Sequence, residues 1–159
     1  MAQQKTTDWQ AVHKHFSTHC FNHTWELIEK PNRTSEDDLE MVQLAVTSLW
    51  HWKQRKDVAP TNLAIGYWQV SFVYALAGQP ALALKYALMC KDLSEKLEAF
   101  YLGEAYQSLA GANKAGGNYE MMEEYIAKAH QILKNLTDPE EKEALERDLR
   151  GLDRVKELT

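Results

Sequence analysis

Tyr67-x-x-Val70-Ser71-x-x-Tyr74, followed by Gly78-x-Pro80-x-x-Ala83-x-x-x-Ala87-x-x-Cys90, reads as two helices folded back on each other at a glycine. Tyr106-x-x-Leu109-Ala110, then Gly117-x-Tyr119-x-x-Met122-x-x-x-Ile126-x-x-Ala129, follows a related pattern. Small residues sit where two backbones must approach, and large ones lie one turn away on the same face. The hinge glycines, Gly78 and Gly117, are 39 positions apart. A helical hairpin recurring at such an interval points to stacked repeats, an architecture that binds more often than it transforms.

Outward from these hairpins the chain reads as helix throughout. Helices are expected over about 8–29, 34–56, 61–77, 80–96, 98–115, 118–136 and 138–152. Trp9, Val12, Phe16, Cys20, His23 and Leu27 recur at steps of three and four and mark the first. Lys30-Pro31 ends it, because a residue before proline avoids the helical region. Thr34 or Ser35 caps the second, with Glu36, Asp37 and Asp38 in the turn where the helix dipole favours acids. Asp138-Pro139-Glu140-Glu141 has the form of a capping box, and Leu145, Leu149 and Leu152 share one face beyond it. Glu143 with Arg147 and Glu146 with Arg150 stand four apart on the charged back of that last helix. The expected fold is all-α: a short right-handed solenoid of three antiparallel helical hairpins plus a C-terminal capping helix, in one domain of 159 residues.

Composition narrows the function. Hydrophobic residues make up 45% and charged residues 26%, the balance of a folded soluble domain. The net charge is −5, and the 18 Lys and Arg are scattered among 23 acids. Nucleic-acid binding needs clustered cations, so it is not expected. The first residues lack the apolar core of a signal peptide, and no apolar run approaches the roughly 20 residues of a membrane span. Cys20 and Cys90 form no C-x-x-C pair and read as reduced, packed thiols of a cytoplasmic protein.

The two hairpins resemble the tetratricopeptide repeat. Tyr67, Val70, Ser71, Tyr74, Gly78, Ala83 and Ala87 match the offsets at which that family places large, small, aromatic, glycine and alanine residues. Tyr106, Leu109, Ala110, Gly117, Tyr119 and Ala129 match again. Pro80 replaces an aromatic, Asn113 stands where one is usual, and Met122 replaces an alanine. The 39-residue spacing exceeds the family's usual 34, and the match covers about residues 62–136. The chain looks like a short, divergent member, similar to small bacterial proteins of this type. The resemblance implies a non-enzymatic scaffold whose concave face holds a protein or peptide, without a cofactor.

Carried onto this chain, the groove would use Ile65, Trp68, Gln69, Phe72, Ala75 and Leu76 of helix three. Helix five would supply a polar rim of Glu104, Gln107, Ser108 and Lys114. The apolar side of helix three suits a peptide helix, a partner or a second copy of the chain in a homodimer. The opposing reading is that helices one and five cover this face and make it ordinary core.

The histidines carry the main chemical alternative. His15, His19 and His23 stand at i, i+4 and i+8, and pairs four apart on a helix can share a metal. The outer two lie about 12 Å apart along the axis, so a third ligand must come from elsewhere, and His51 between Trp50 and Trp52 is the candidate. A metal-dependent helical enzyme built on these four is the rival to a scaffold; an effector-sensing component of a regulatory system is a third reading. Catalysis has little other support. There is no G-x-S-x-G, phosphate-cradling glycine loop or H-E-x-x-H, and Cys20 beside His19 lacks an orienting group.

Overall fold

Local chemistry places each helix end. The computed structural model describes residues 6–155 and contains α1 (Trp9–Glu29), α2 (Ser35–Gln54), α3 (Pro60–Leu76), α4 (Pro80–Ser94), α5 (Ala99–Ala115), α6 (Tyr119–Asn135) and α7 (Pro139–Arg150). A short 3-10 turn, Gly151–Arg154, follows. No strand occurs among the described residues. Several ends differ from those expected by one or two residues, where fraying turns leave the last backbone groups to caps.

Asp8 accepts from the amides of Gln10 and Ala11, and Asn118 from Met121. Thr34 and Asp37 form a reciprocal capping box. Asp138 caps α7 through the amides of Glu140 and Glu141, with Pro139 at the first helical position, so the reciprocal half of the expected box is not used. In the α1–α2 connection, Lys30 pairs with Asp37 at 2.7 Å and Arg33 with Asp38 at 2.8 Å. The Lys30 ammonium and the Thr34 amide hold the Asp37 carboxyl down at about 2.

The two hinges are built alike. Gly78 (φ 70°) and Gly117 (φ 75°) occupy the left-handed region, which a Cβ disfavours. Beyond each, the next amide closes a six-residue ring: Gln79 N to Tyr74 O and Asn118 N to Asn113 O, both at 2.9 Å. This is the hydrogen bond of a glycine-terminated helix. The small residues do what their spacing requires: Ala83, Ala87 and Ala129 are wholly buried, and Ser71 Oγ donates to Ala83 O at 2.8 Å.

The seven helices pack in consecutive order, most closely within the pairs α1–α2, α3–α4 and α5–α6. Contacts also run from α3 to α5 and from α5 to α7. On the same side, α1 reaches α3 through Gln69 Nε2, which donates to Phe21 O at 3.1 Å. The core centres on α3, buried around nearly its whole circumference, with Val70 and Val73 in one cluster with Ile28, Met41 and Ala105. By contrast, α6 and α7 each carry one apolar stripe and a polar back.

Candidate functional site

Where α3 faces α5, Trp68, Phe72 and Gln107 are each buried. α1 lies over one flank and α7 over the other, and a cavity of about 180 Å3 is left between them. Phe21 and Trp25 of α1, Trp68 of α3 and Phe100 and Tyr101 of α5 form its aromatic walls. Ala64, Ile65 and Cys90 complete the apolar lining, while Glu104, Arg147 and Asp148 bring the charge. A second, more polar cavity of about 200 Å3 shares Trp25, Trp68, Arg147 and Asp148 and extends to Glu29, Phe72, Arg150 and Arg154.

A hydrogen-bonded chain joins the walls. Trp68 Nε1 donates to Gln107 Oε1 at 2.7 Å, and Gln107 Nε2 donates to the backbone oxygen of Asp148 at 2.9 Å. The chain therefore ties α3 to α5 and α5 to α7 across the sides of the cavity. Trp68 also stacks on Phe72 with centroids 5.6 Å apart, and Trp25 lies 5.6 Å from Trp68.

Glu104 is the anomaly. It is only 8% exposed, and neither carboxylate oxygen has a hydrogen-bond partner. Buried carboxylates without a partner are costly, and each one in a native structure asks for an explanation. Burial first, and the neighbouring charge of Asp148 second, push its carboxyl well above the ordinary range. Once protonated, Glu104 can donate to Asp148, the arrangement that relieves both effects. Arg147 Nε sits 3.1 Å from Asp148 Oδ1, so the guanidinium expected opposite Glu143 goes to Asp148. Burial pushes the Cys90 thiol up to about 12, and it stays neutral, its Sγ 3.4 Å from Ala64 O.

Of the residues expected on the groove, the first cavity brings together Ile65, Trp68 and Glu104. Ile65 is the exposed member, at 36%. The second cavity gathers Trp68, Phe72 and Gln107. Gln69, Leu76 and Ser108 are buried elsewhere: Gln69 ties α3 to α1, and Ser108 Oγ donates to Ala105 O of its own helix. Sequence reasoning left out Phe21, Trp25, Phe100, Tyr101, Arg147 and Asp148 as cavity residues. Phe21 and Trp25 stand four apart and leave one face of α1, a signal available in the sequence.

The histidines divide differently from the expectation. His15 and His19 stack with centroids 5.4 Å apart, and His23 continues the row 6.1 Å from His19. His51 turns to His13, their Nδ1 atoms 2.9 Å apart and sharing one proton. Burial, then repulsion from His13, lowers the His51 pKa. Among the described residues, no three His, Cys, Asp or Glu side chains converge as metal ligands. Cys20 and Cys90 are both buried free thiols.

No protein-family model matches the chain, and no curated protein or solved structure matches it. Among the described residues no helix is long and apolar enough to cross a membrane.

Proposed function

We propose that the chain is a non-enzymatic binding module, a short tetratricopeptide-like stack that takes a guest on its inner side. The single observation that carries this reading is the aromatic-walled cavity between α1, α3, α5 and α7. Ligand sites are concave, mostly apolar and furnished with a few convergent polar groups, and this cavity has that character. Consecutive helix pairing, matched glycine hinges 39 positions apart and contacts along the odd-numbered helices support a right-handed stack of hairpins capped by α7. The guest is one side chain of a protein or peptide partner, or a small effector. Enclosure by α1 and α7 favours a compact guest over a whole peptide helix, which speaks for the effector-sensing form of the reading.

The test is direct. The indole N–H of Trp68 reports on the cavity in a nuclear magnetic resonance spectrum. Compact apolar fragments at millimolar concentration should shift it, and Ala144→Leu, which fills the cavity, should abolish the response. Fragments that leave the Trp68 and Trp25 indole signals unmoved would refute the proposal.

A further inference from the structure

We infer that the cavity beside Glu104 receives a compact organic cation, an ammonium carrying small alkyl groups, with the Glu104 carboxylate as its counter-ion. The inference rests on the reading of this cavity as a guest site and names the chemistry of the guest. Three observations carry it.

The first is the unpartnered acid. Glu104 lines the cavity with both oxygens buried and unsatisfied. A helix–helix contact needs no carboxyl there: a leucine or glutamine would avoid the desolvation, so an ionised Glu104 calls for a counter-ion, and no hydrogen bond from the chain reaches either oxygen. The second is the wall. Indole, phenyl and phenol rings carry negative π faces, and a cation held within about 6 Å of them gains attraction that grows as water is excluded. Trp25, Trp68, Phe100 and Tyr101 supply such rings from three helices. The third is size. An apolar cavity of roughly 150 Å3 holds a molecule as large as benzene. The 180 Å3 here suits a trimethylammonium group with a short substituent.

The surrounding charges agree with the sign. α7 contributes the Asp148 carboxylate and the Arg147 guanidinium that engages it, α4 the neutral Cys90 thiol, and α5 the Tyr101 phenol. α1 and α3 contribute no charged side chain to this cavity. Once Glu104 ionises, two carboxylates face one guanidinium already engaged by Asp148, a balance that accepts a cation. Without a guest, burial and then the Asp148 charge favour the protonated form of Glu104. When the cation enters, that proton leaves to solvent and a carboxylate remains against the ammonium. Binding therefore releases one proton, and affinity rises with pH.

The experiment compares choline with its neutral carbon analogue 3,3-dimethylbutan-1-ol, titrated calorimetrically between pH 5 and 8. Choline should bind the tighter, with its affinity rising up to about tenfold per pH unit while Glu104 is protonated in the free protein. Buffers of different ionisation enthalpy should reveal close to one proton released. Glu104→Gln should bring choline down to the level of the alcohol and remove the pH dependence, leaving the alcohol unaffected. A short peptide bearing one trimethyllysine separates the two sources of the ammonium: tighter binding than choline assigns a side chain, weaker binding a free molecule, and both support the cation. An alcohol that binds as well as choline, independently of pH, would overturn the cation while leaving the cavity a guest site. Failure of both ligands, with silent Trp68 and Trp25 indole signals, would remove the guest site itself.

Discussion

Replacing Glu104 with glutamine should stabilise the protein, and increasingly so as pH rises. The unfolded carboxyl titrates near 4.5, and the folded one well above it, because burial and then the Asp148 charge penalise ionisation. Between those two values the folded state retains a proton that the unfolded state has released. Stability is therefore fully present below about pH 4.5 and is lost as pH climbs towards the folded value. The loss amounts to at most about 1.4 kcal/mol for each pH unit crossed. For a chain of this length that is a fall of about 3–6 °C in Tm per unit, using about 2–4 °C per kcal/mol. Glutamine fills the same space and cannot ionise, so titrations away from the Glu104–Asp148 pair cancel when the two proteins are compared. The assay is urea unfolding of both at intervals from pH 4 to 8, with Tm as a second readout. Nearly coincident stability at pH 4, diverging in favour of Glu104→Gln above pH 5, is the expected result. Curves that stay parallel across the range would refute the argument, because Glu104 would then meet the same surroundings folded and unfolded.

Three further outcomes follow from particular contacts. Trp68→Phe leaves the buried Gln107 Oε1 without its 2.7 Å donor and should cost about 1–3 kcal/mol in urea unfolding; a loss within error of zero would mean another donor reaches Gln107. At Gly103 a Cβ would meet Leu145 Cδ2 at 2.8 Å and Ile132 Cγ2 at 3.2 Å, so Gly103→Ala must push these two side chains aside and should destabilise by about 1–3 kcal/mol. Gly111→Ala, whose tightest contact is 3.3 Å, is its milder control, and equal losses would argue against the crowding. The His13–His51 pair should act in the pH direction opposite to Glu104: the lowered His51 value means stability is present above about pH 6.5 and is lost as pH falls below it. Unfolding of wild type and His51→Phe should therefore converge below pH 6.5, and a constant difference would refute it.

How far the site was legible can be followed residue by residue. The hinges at Gly78 and Gly117 were readable because their glycines sit just past an apolar run, and a positive φ is a local demand. Asp8, Thr34, Asn118 and Asp138 cap for the same local reason. Trp68 stood out as a large apolar residue, yet apolar residues lie on nearly every side of α3, so no single stripe in the sequence told groove from core. Glu104 read as a solvated rim because one glutamate on a helix looks the same whether or not another helix covers it. α7 covers it, through Ala144, Arg147 and Asp148, which are at least forty positions further along. The histidine row misled in a related way: His51 lay within reach of α1 but met His13, which was not among the candidates.

The order of helices, their caps and the glycine bends between them were determined by the sequence alone, since each depends on backbone hydrogen bonds and side chains a few residues apart. Only the tertiary structure decided that α1 and α7 flank α3 and α5 around a partly open cavity, and that an acid with no hydrogen bond to either oxygen lines it. Burial of that kind depends on which surfaces of distant helices meet, and hydrophobic attraction has no direction by which a short stretch of sequence could announce its eventual neighbour.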